Sequence, residues 1–196
     1  MTLKITKSQQ LTDTALELFY QHGVHSIGIN EILKTSGIAK KTLYSHFASK
    51  EALVLAALKE RNQRYLNWLQ YEIGEVQHRQ ALYSALADAL EKWFSGQSVL
   101  GAFRGCFFIN TSAEFEDPNS DISKYCASHK QQVRQLIGQY ITDQPAWLLD
   151  AICILKEGAI TQAYVQNDGV KAARLFYQLL MQLDKQGAIN QSQSID

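Results

Sequence analysis

Gly37-Ile38-Ala39-Lys40-Lys41-Thr42-Leu43-Tyr44-Ser45-His46-Phe47-Ala48-Ser49-Lys50-Glu51-Ala52-Leu53 is the stretch on which the fold turns. Leu43 and Phe47 stand one helical turn apart, so a short helix is predicted from about Lys40 to Phe47, held by those two side chains. Its other side carries Lys40, Lys41, Thr42, Tyr44, Ser45 and His46. Ser49 stands where an N-cap belongs and Glu51 faces the dipole of the first turn, so a long helix follows from Lys50 to about Ile73. Upstream, Ile29, Ile32 and Leu33 make a second short stripe, with Asn30, Glu31 and Lys34 on its other side. Two short helices joined through Ser36-Gly37-Ile38-Ala39 read as a helix-turn-helix: the glycine lets the chain turn and Ile38 plugs the angle. Further upstream Leu11, Ala15, Leu18 and Phe19 form one stripe, closed by Gly23.

Working outward, the rest of the 196 residues also reads as helical. Two prolines in the whole chain are far below ordinary usage. Helices are expected over about 80–94, 103–115, 122–141, 146–166 and 170–186, with Asp143 and Pro145 opening the fourth of these and a polar tail from Asn190. The stretch Cys106-Phe107-Phe108-Ile109 is apolar enough for a strand, but nothing nearby could pair with it, so a short buried helix is expected. The fold class is therefore all-α, about nine helices: a three-helix N-terminal head and a helical body, with the boundary placed at 1–50 and 51–196.

Nineteen Lys+Arg against nineteen Asp+Glu leave no net charge, which excludes a wholly basic, histone-like protein. The charge is unevenly spread, however. Residues 1–50 hold Lys4, Lys7, Lys34, Lys40, Lys41 and Lys50 against Asp13, Glu17 and Glu31, so any polyanion is expected at the head. Three widely spaced cysteines, Cys106, Cys126 and Cys153, do not make a disulfide framework. No apolar run has the roughly 20 residues of a membrane span, and Met1 to Lys7 lacks the apolar core of a signal peptide, so a cytoplasmic location is expected.

The stretch from Leu11 to Leu58 resembles the DNA-binding head of the TetR family of bacterial transcriptional regulators. The resemblance rests on Ala15-Leu16-Glu17-Leu18-Phe19-Tyr20-Gln21-His22-Gly23, then Ile32, then the run from Gly37 to Leu53 quoted above. It implies that Asn30, Lys40 and Lys41 reach base edges, while Thr42, Tyr44, His46 and Lys50 hold phosphates, with Ser45 on the same face. Lysine suits guanine O6/N7 and asparagine suits adenine N6/N7. Two positions depart from the family pattern: Ala39 and Gly28 stand where a hydroxyl side chain commonly caps the helix that follows.

In the body, Arg104-Gly105-Cys106-Phe107-Phe108-Ile109-Asn110-Thr111-Ser112-Ala113-Glu114-Phe115 resembles a Gly-Cys-x-x-x-Asn-x-x-x-Glu-Phe stretch of one group of these regulators, where it lies beside a ligand cavity. Phe103, Cys106, Phe107, Asn110, Glu114, Trp147 and Tyr164 are the expected pocket residues, although core is the commoner place for any single aromatic. Cys106 is a candidate thiol sensor of oxidants or electrophiles or, alternatively, a small buried apolar residue. Cys126 and His129, three apart, are half a metal site without a second half, so neither metal nor cofactor is expected.

The last two helices carry apolar stripes. Ile152, Leu155 and Ala159 on one, and Phe176, Leu179 and Leu183 on the other, are the expected dimer interface, as the resemblance implies; closure of the monomer's own core is the alternative. The expected function is a ligand-responsive transcriptional regulator, a repressor, that binds a palindromic DNA operator as a homodimer and is released by a small apolar or electrophilic effector. A helical enzyme is the first competitor, but no nucleophile elbow, zinc-protease or Walker motif is present. A protein-interaction module with a vestigial head is the second; duplex binding that weakens steeply with salt separates the regulator from both.

Overall fold

The computed structural model describes residues 5–142 and 145–192, with side chains of the last helix described to residue 185. Nine helices occur among the described residues: α1 (Lys7–His22), α2 (Ile29–Ser36), α3 (Lys40–His46), α4 (Lys50–Ile73), α5 (Arg79–Phe94), α6 (Phe107–Glu114), α7 (Asp121–Gly138), α8 (Ala146–Gln166) and α9 (Gly169–Ser192). The all-α expectation holds, and the helices begin close to where the capping signals place them. Ser49 Oγ accepts the Ala52 N–H at 3.2 Å, the N-cap bond expected for α4.

Four expectations shift. α6 starts at Phe107, not Phe103, because Gly105 takes φ 78° and interrupts any helix before it. α7 stops at Gly138 rather than Ile141, and α9 continues past residue 186 to Ser192, so the expected polar tail is helical through 190–192. Asp143, expected at the start of α8, lies outside the described residues; Pro145 stands at the N-cap position of that helix.

The chain forms two compact units. The first comprises residues 1–65 and 106–131, the second 66–105 and 132–196. In the first, the stripe predicted on α1 is buried: Leu11 and Ala15 are fully enclosed and Phe19 nearly so, together with Ile32 of α2, Leu43 of α3 and Leu53, Val54 and Leu58 of α4. Full burial of each large aliphatic or aromatic side chain contributes roughly 1.5–3 kcal/mol, which is what holds helices as short as α2 and α3 in place. In the second unit α9 packs against both α5 and α8. Trp93 and Trp68 are its largest buried side chains; the Trp93 ring lies 5.9 Å from that of Trp68 and 5.0 Å, edge-on, from that of Phe103.

Candidate nucleic-acid interface and a buried thiol

The turn between α2 and α3 is built as its sequence requires. Gly37 is left-handed, φ 68° and ψ 14°, and its N–H closes α2 on the Leu33 carbonyl at 3.0 Å. Ile38 is buried beneath the angle. Gln10 of α1 donates to the Ser36 carbonyl at 2.9 Å, which fixes the end of α2 to α1. Neither Gly28 nor Ala39 gives its helix a side-chain cap, so both departures from the family pattern are real gaps in capping.

With Leu43 and Phe47 buried, α3 turns its opposite side outward. Lys40, Lys41, Tyr44, Ser45 and His46 are exposed, Thr42 is half-buried, and Asn30 is exposed on α2. Ser45 Oγ donates to the Thr42 carbonyl at 2.7 Å. Lys50 differs from the rest. Its ammonium donates to the Val24 carbonyl at 2.7 Å and sits 5.9 Å from the centre of the Phe19 ring, so in the free chain it is engaged within the head.

The expected pocket residues do not gather in one unit. Cys106, Phe107, Asn110 and Glu114 belong to the first, Phe103, Trp147 and Tyr164 to the second. Phe107 is core, packed edge-on to Tyr20 at 6.0 Å. Phe103 packs on Trp93 and Phe94, and Tyr164, half exposed, meets Phe103 with ring centres 6.2 Å apart. Trp147 is half exposed. The Glu114 carboxylate accepts the backbone N–H groups of Val24 at 2.9 Å and His25 at 2.6 Å.

Around Cys106 the first unit encloses a polar cluster that the sequence did not reveal. Lys130 Nζ donates to Cys106 Sγ at 3.3 Å. The Arg61 guanidinium lies 4.6 Å over the Tyr20 ring, and burial pulls its pKa below the ordinary arginine value. His129, 2% exposed, is within 2.7 Å of Asn62 Oδ1 through Nδ1 and lies flat on Phe108, centroids 3.5 Å apart and planes 8° from parallel. This gives His129 an enclosed stacking role in place of the half metal site suggested by its spacing from Cys126. Burial pushes the Cys126 thiol up to about 11 and raises Cys153 as well, which keeps both protonated at neutral pH. Lys130 and Arg61 stand 24 and 45 positions from Cys106 in the chain, so local sequence offered no signal for them.

On the expected dimer helices, Ile152, Ala159 and Phe176 are buried inside the second unit itself, Leu155 and Leu183 are half-buried, and Leu179 is exposed. The stripe picked out by the sequence on α8 is the one facing the unit's own core. The opposite face carries Trp147, Ile154, Gly158 and Val165, all exposed, and α9 exposes Leu175 and Leu179.

A seven-residue helix with a cationic outer face, docked through a glycine turn on a second short helix, defines a helix-turn-helix DNA-binding head. Residues 11–57 match the family model of bacterial regulatory proteins, tetR family. Through this head the chain is similar to the bacterial regulatory proteins of the tetR family. The chain is 25% identical over 146 residues to the transcriptional repressor ComR of Escherichia coli, covering 73% of this chain and 67% of ComR. It is 25% identical over 174 residues to the fatty acid metabolism regulator protein of Bacillus subtilis, covering 89% and 79%. Its fold is that of SCO4454, a TetR-family transcriptional regulator from Streptomyces coelicolor, with a TM-score of 0.77, 24% identity and coverage of 88% and 90%.

Proposed function

We propose that the chain is a transcriptional repressor that binds a palindromic operator as a homodimer and is released by a small apolar or electrophilic effector. In this reading residues 1–50 bind DNA and 51–196 serve ligand binding and dimerisation. The observation that carries it is the outer face of α3: Lys40, Lys41, Tyr44, Ser45 and His46 stand exposed while Leu43 and Phe47 seat the helix on its core. One such helix reads too few bases alone, so a two-fold partner is required. Selection of duplexes from a random pool by the full chain tests this, and recovery of no palindrome refutes it.

Within that reading Asn30, Lys40 and Lys41 read bases; Thr42, Tyr44 and His46 hold phosphates. Lys40→Ala and Lys41→Ala are each expected to relax preference at one or two operator positions by roughly 1–3 kcal/mol. Tyr44→Phe should weaken all duplexes alike. Repeating the selection with each variant checks the split: identical operators from wild type, Lys40→Ala and Lys41→Ala would remove the base-reading assignment.

For the effector, the observation that favours an electrophile is the Lys130 ammonium 3.3 Å from Cys106 Sγ, a cation set directly beside the sulfur. A quinone would add to that sulfur, the S–C bond forming as the ring is reduced to a hydroquinone thioether that takes up the thiol proton. Cys106→Ser is expected to abolish DNA release by quinone or hypochlorite, read by gel shift, while leaving operator affinity without effector within about twofold. Release that persists in Cys106→Ser assigns the thiol to the core.

A further inference from the structure

We propose that Glu114 is a positioning residue for DNA reading: its carboxylate holds the turn between α1 and α2, and so sets where the helix-turn-helix is presented. The inference rests on the DNA-binding reading above. Past the end of α1 the N–H groups of Val24 and His25 have no helical acceptor. Glu114, the last residue of α6, supplies both, Oε1 to Val24 N at 2.9 Å and Oε2 to His25 N at 2.6 Å. Two N–H groups of successive residues converging on one carboxylate form a small anion nest, and hydrogen bonds to a charged acceptor are roughly twice as strong as neutral ones.

The same peptide is held from its other end. The carbonyl of Val24 and the N–H of His25 belong to one planar unit, and Lys50 Nζ at the start of α4 donates to that carbonyl at 2.7 Å. The plane is thus fixed between an anion on α6 and a cation on α4, and it cannot rotate without breaking one of them. Val24 is 1% exposed and Ile27 is buried, so the turn is seated as well as clamped. The Phe115 ring lies 5.2 Å from the His25 imidazole on the same side. α2 begins four residues after His25, so a shift of this peptide is carried directly into α2 and α3.

The test uses the full chain and a duplex that the wild type selects from a random pool. A wild type that selects nothing overturns the DNA-binding reading and is seen before any variant is made. Glu114→Ala is expected to lose about tenfold or more in affinity for that duplex. The direction is informative, because removing an acid from a DNA-binding head should tighten binding if charge alone mattered. Glu114→Gln keeps the reach and one acceptor oxygen; Glu114→Asp keeps the charge but is one methylene shorter. The expected order of affinity is wild type, then Gln, then Asp close to Ala. Hydrogen exchange on the free protein should speed at the Val24 and His25 amides in Glu114→Ala while the Leu43 amide keeps its protection. Wild-type affinity in Glu114→Ala, Asp binding better than Gln, or exchange that speeds evenly through α1 to α4 would each overturn the assignment.

Discussion

Ile154→Glu combined with Leu179→Glu is expected to turn a dimer into a folded monomer and to lower operator affinity by roughly 100-fold or more, since one of two half-sites is forfeited. Both side chains are exposed in the single chain, Ile154 at 71% and Leu179 at 43%, so the charges cost the fold little. Their neighbours on α8 make the reason specific. Trp147, Ile154, Gly158 and Val165 lie on one face at helical spacing, and nothing among the described residues stands within 4 Å of a Cβ built on Gly158, which leaves room for a second helix to approach closely. A charge at Ile152, fully buried, should instead unfold the second unit. Sedimentation at micromolar concentration with far-ultraviolet circular dichroism separates the outcomes. A double variant that remains dimeric would place the interface elsewhere.

Phe108→Ala should destabilise the first unit by about 3–5 kcal/mol, near the top of the range for a single core truncation. Phe108 is 2% exposed, packs on Phe107 with ring centres 6.1 Å apart, and is the flat surface on which His129 lies. Removing the ring leaves a cavity and strips the imidazole of its stacked partner while Asn62 still holds it from the other edge. Urea denaturation followed by circular dichroism measures the loss. A change below about 1 kcal/mol would mean that the site collapses and refills, and that the stack contributes little.

The head was legible because its signals are local. Leu43 and Phe47, Gly37 and Ile38, Ser49 and Glu51 each act within one or two turns of chain, and periodicity and capping report such distances directly. The body was legible as helices but not as a site. On α8 both faces are apolar, and the stripe through Ile152 and Ala159 is the stronger in sequence because it serves the unit's own core. The face through Ile154 and Val165 is the one left over. Glu114 reads from sequence as a polar group inside an aromatic stretch, and only tertiary structure brings it to Val24, ninety positions away. Lys50 carries the same lesson, since its place in a recognised motif says nothing of the carbonyl it meets when no DNA is present.

Both grips on the turn after α1 land on main-chain atoms: two N–H groups on one side, a carbonyl on the other. The Ser26 side chain is exposed and takes no part in those three bonds, whereas the His25 imidazole lies 5.2 Å from the Phe115 ring with Nδ1 3.8 Å from Glu114 Oε2. Sequence drift at Ser26 is therefore free to proceed without loosening the head, and a library randomised there should keep the operator of the parent. Gly23 has no such freedom. Its φ is 86°, and a Cβ there would come within 3.3 Å of Glu114 Oε1. A side chain at Gly23 would therefore be strained by the backbone and would crowd the same carboxylate that accepts the Val24 and His25 N–H groups.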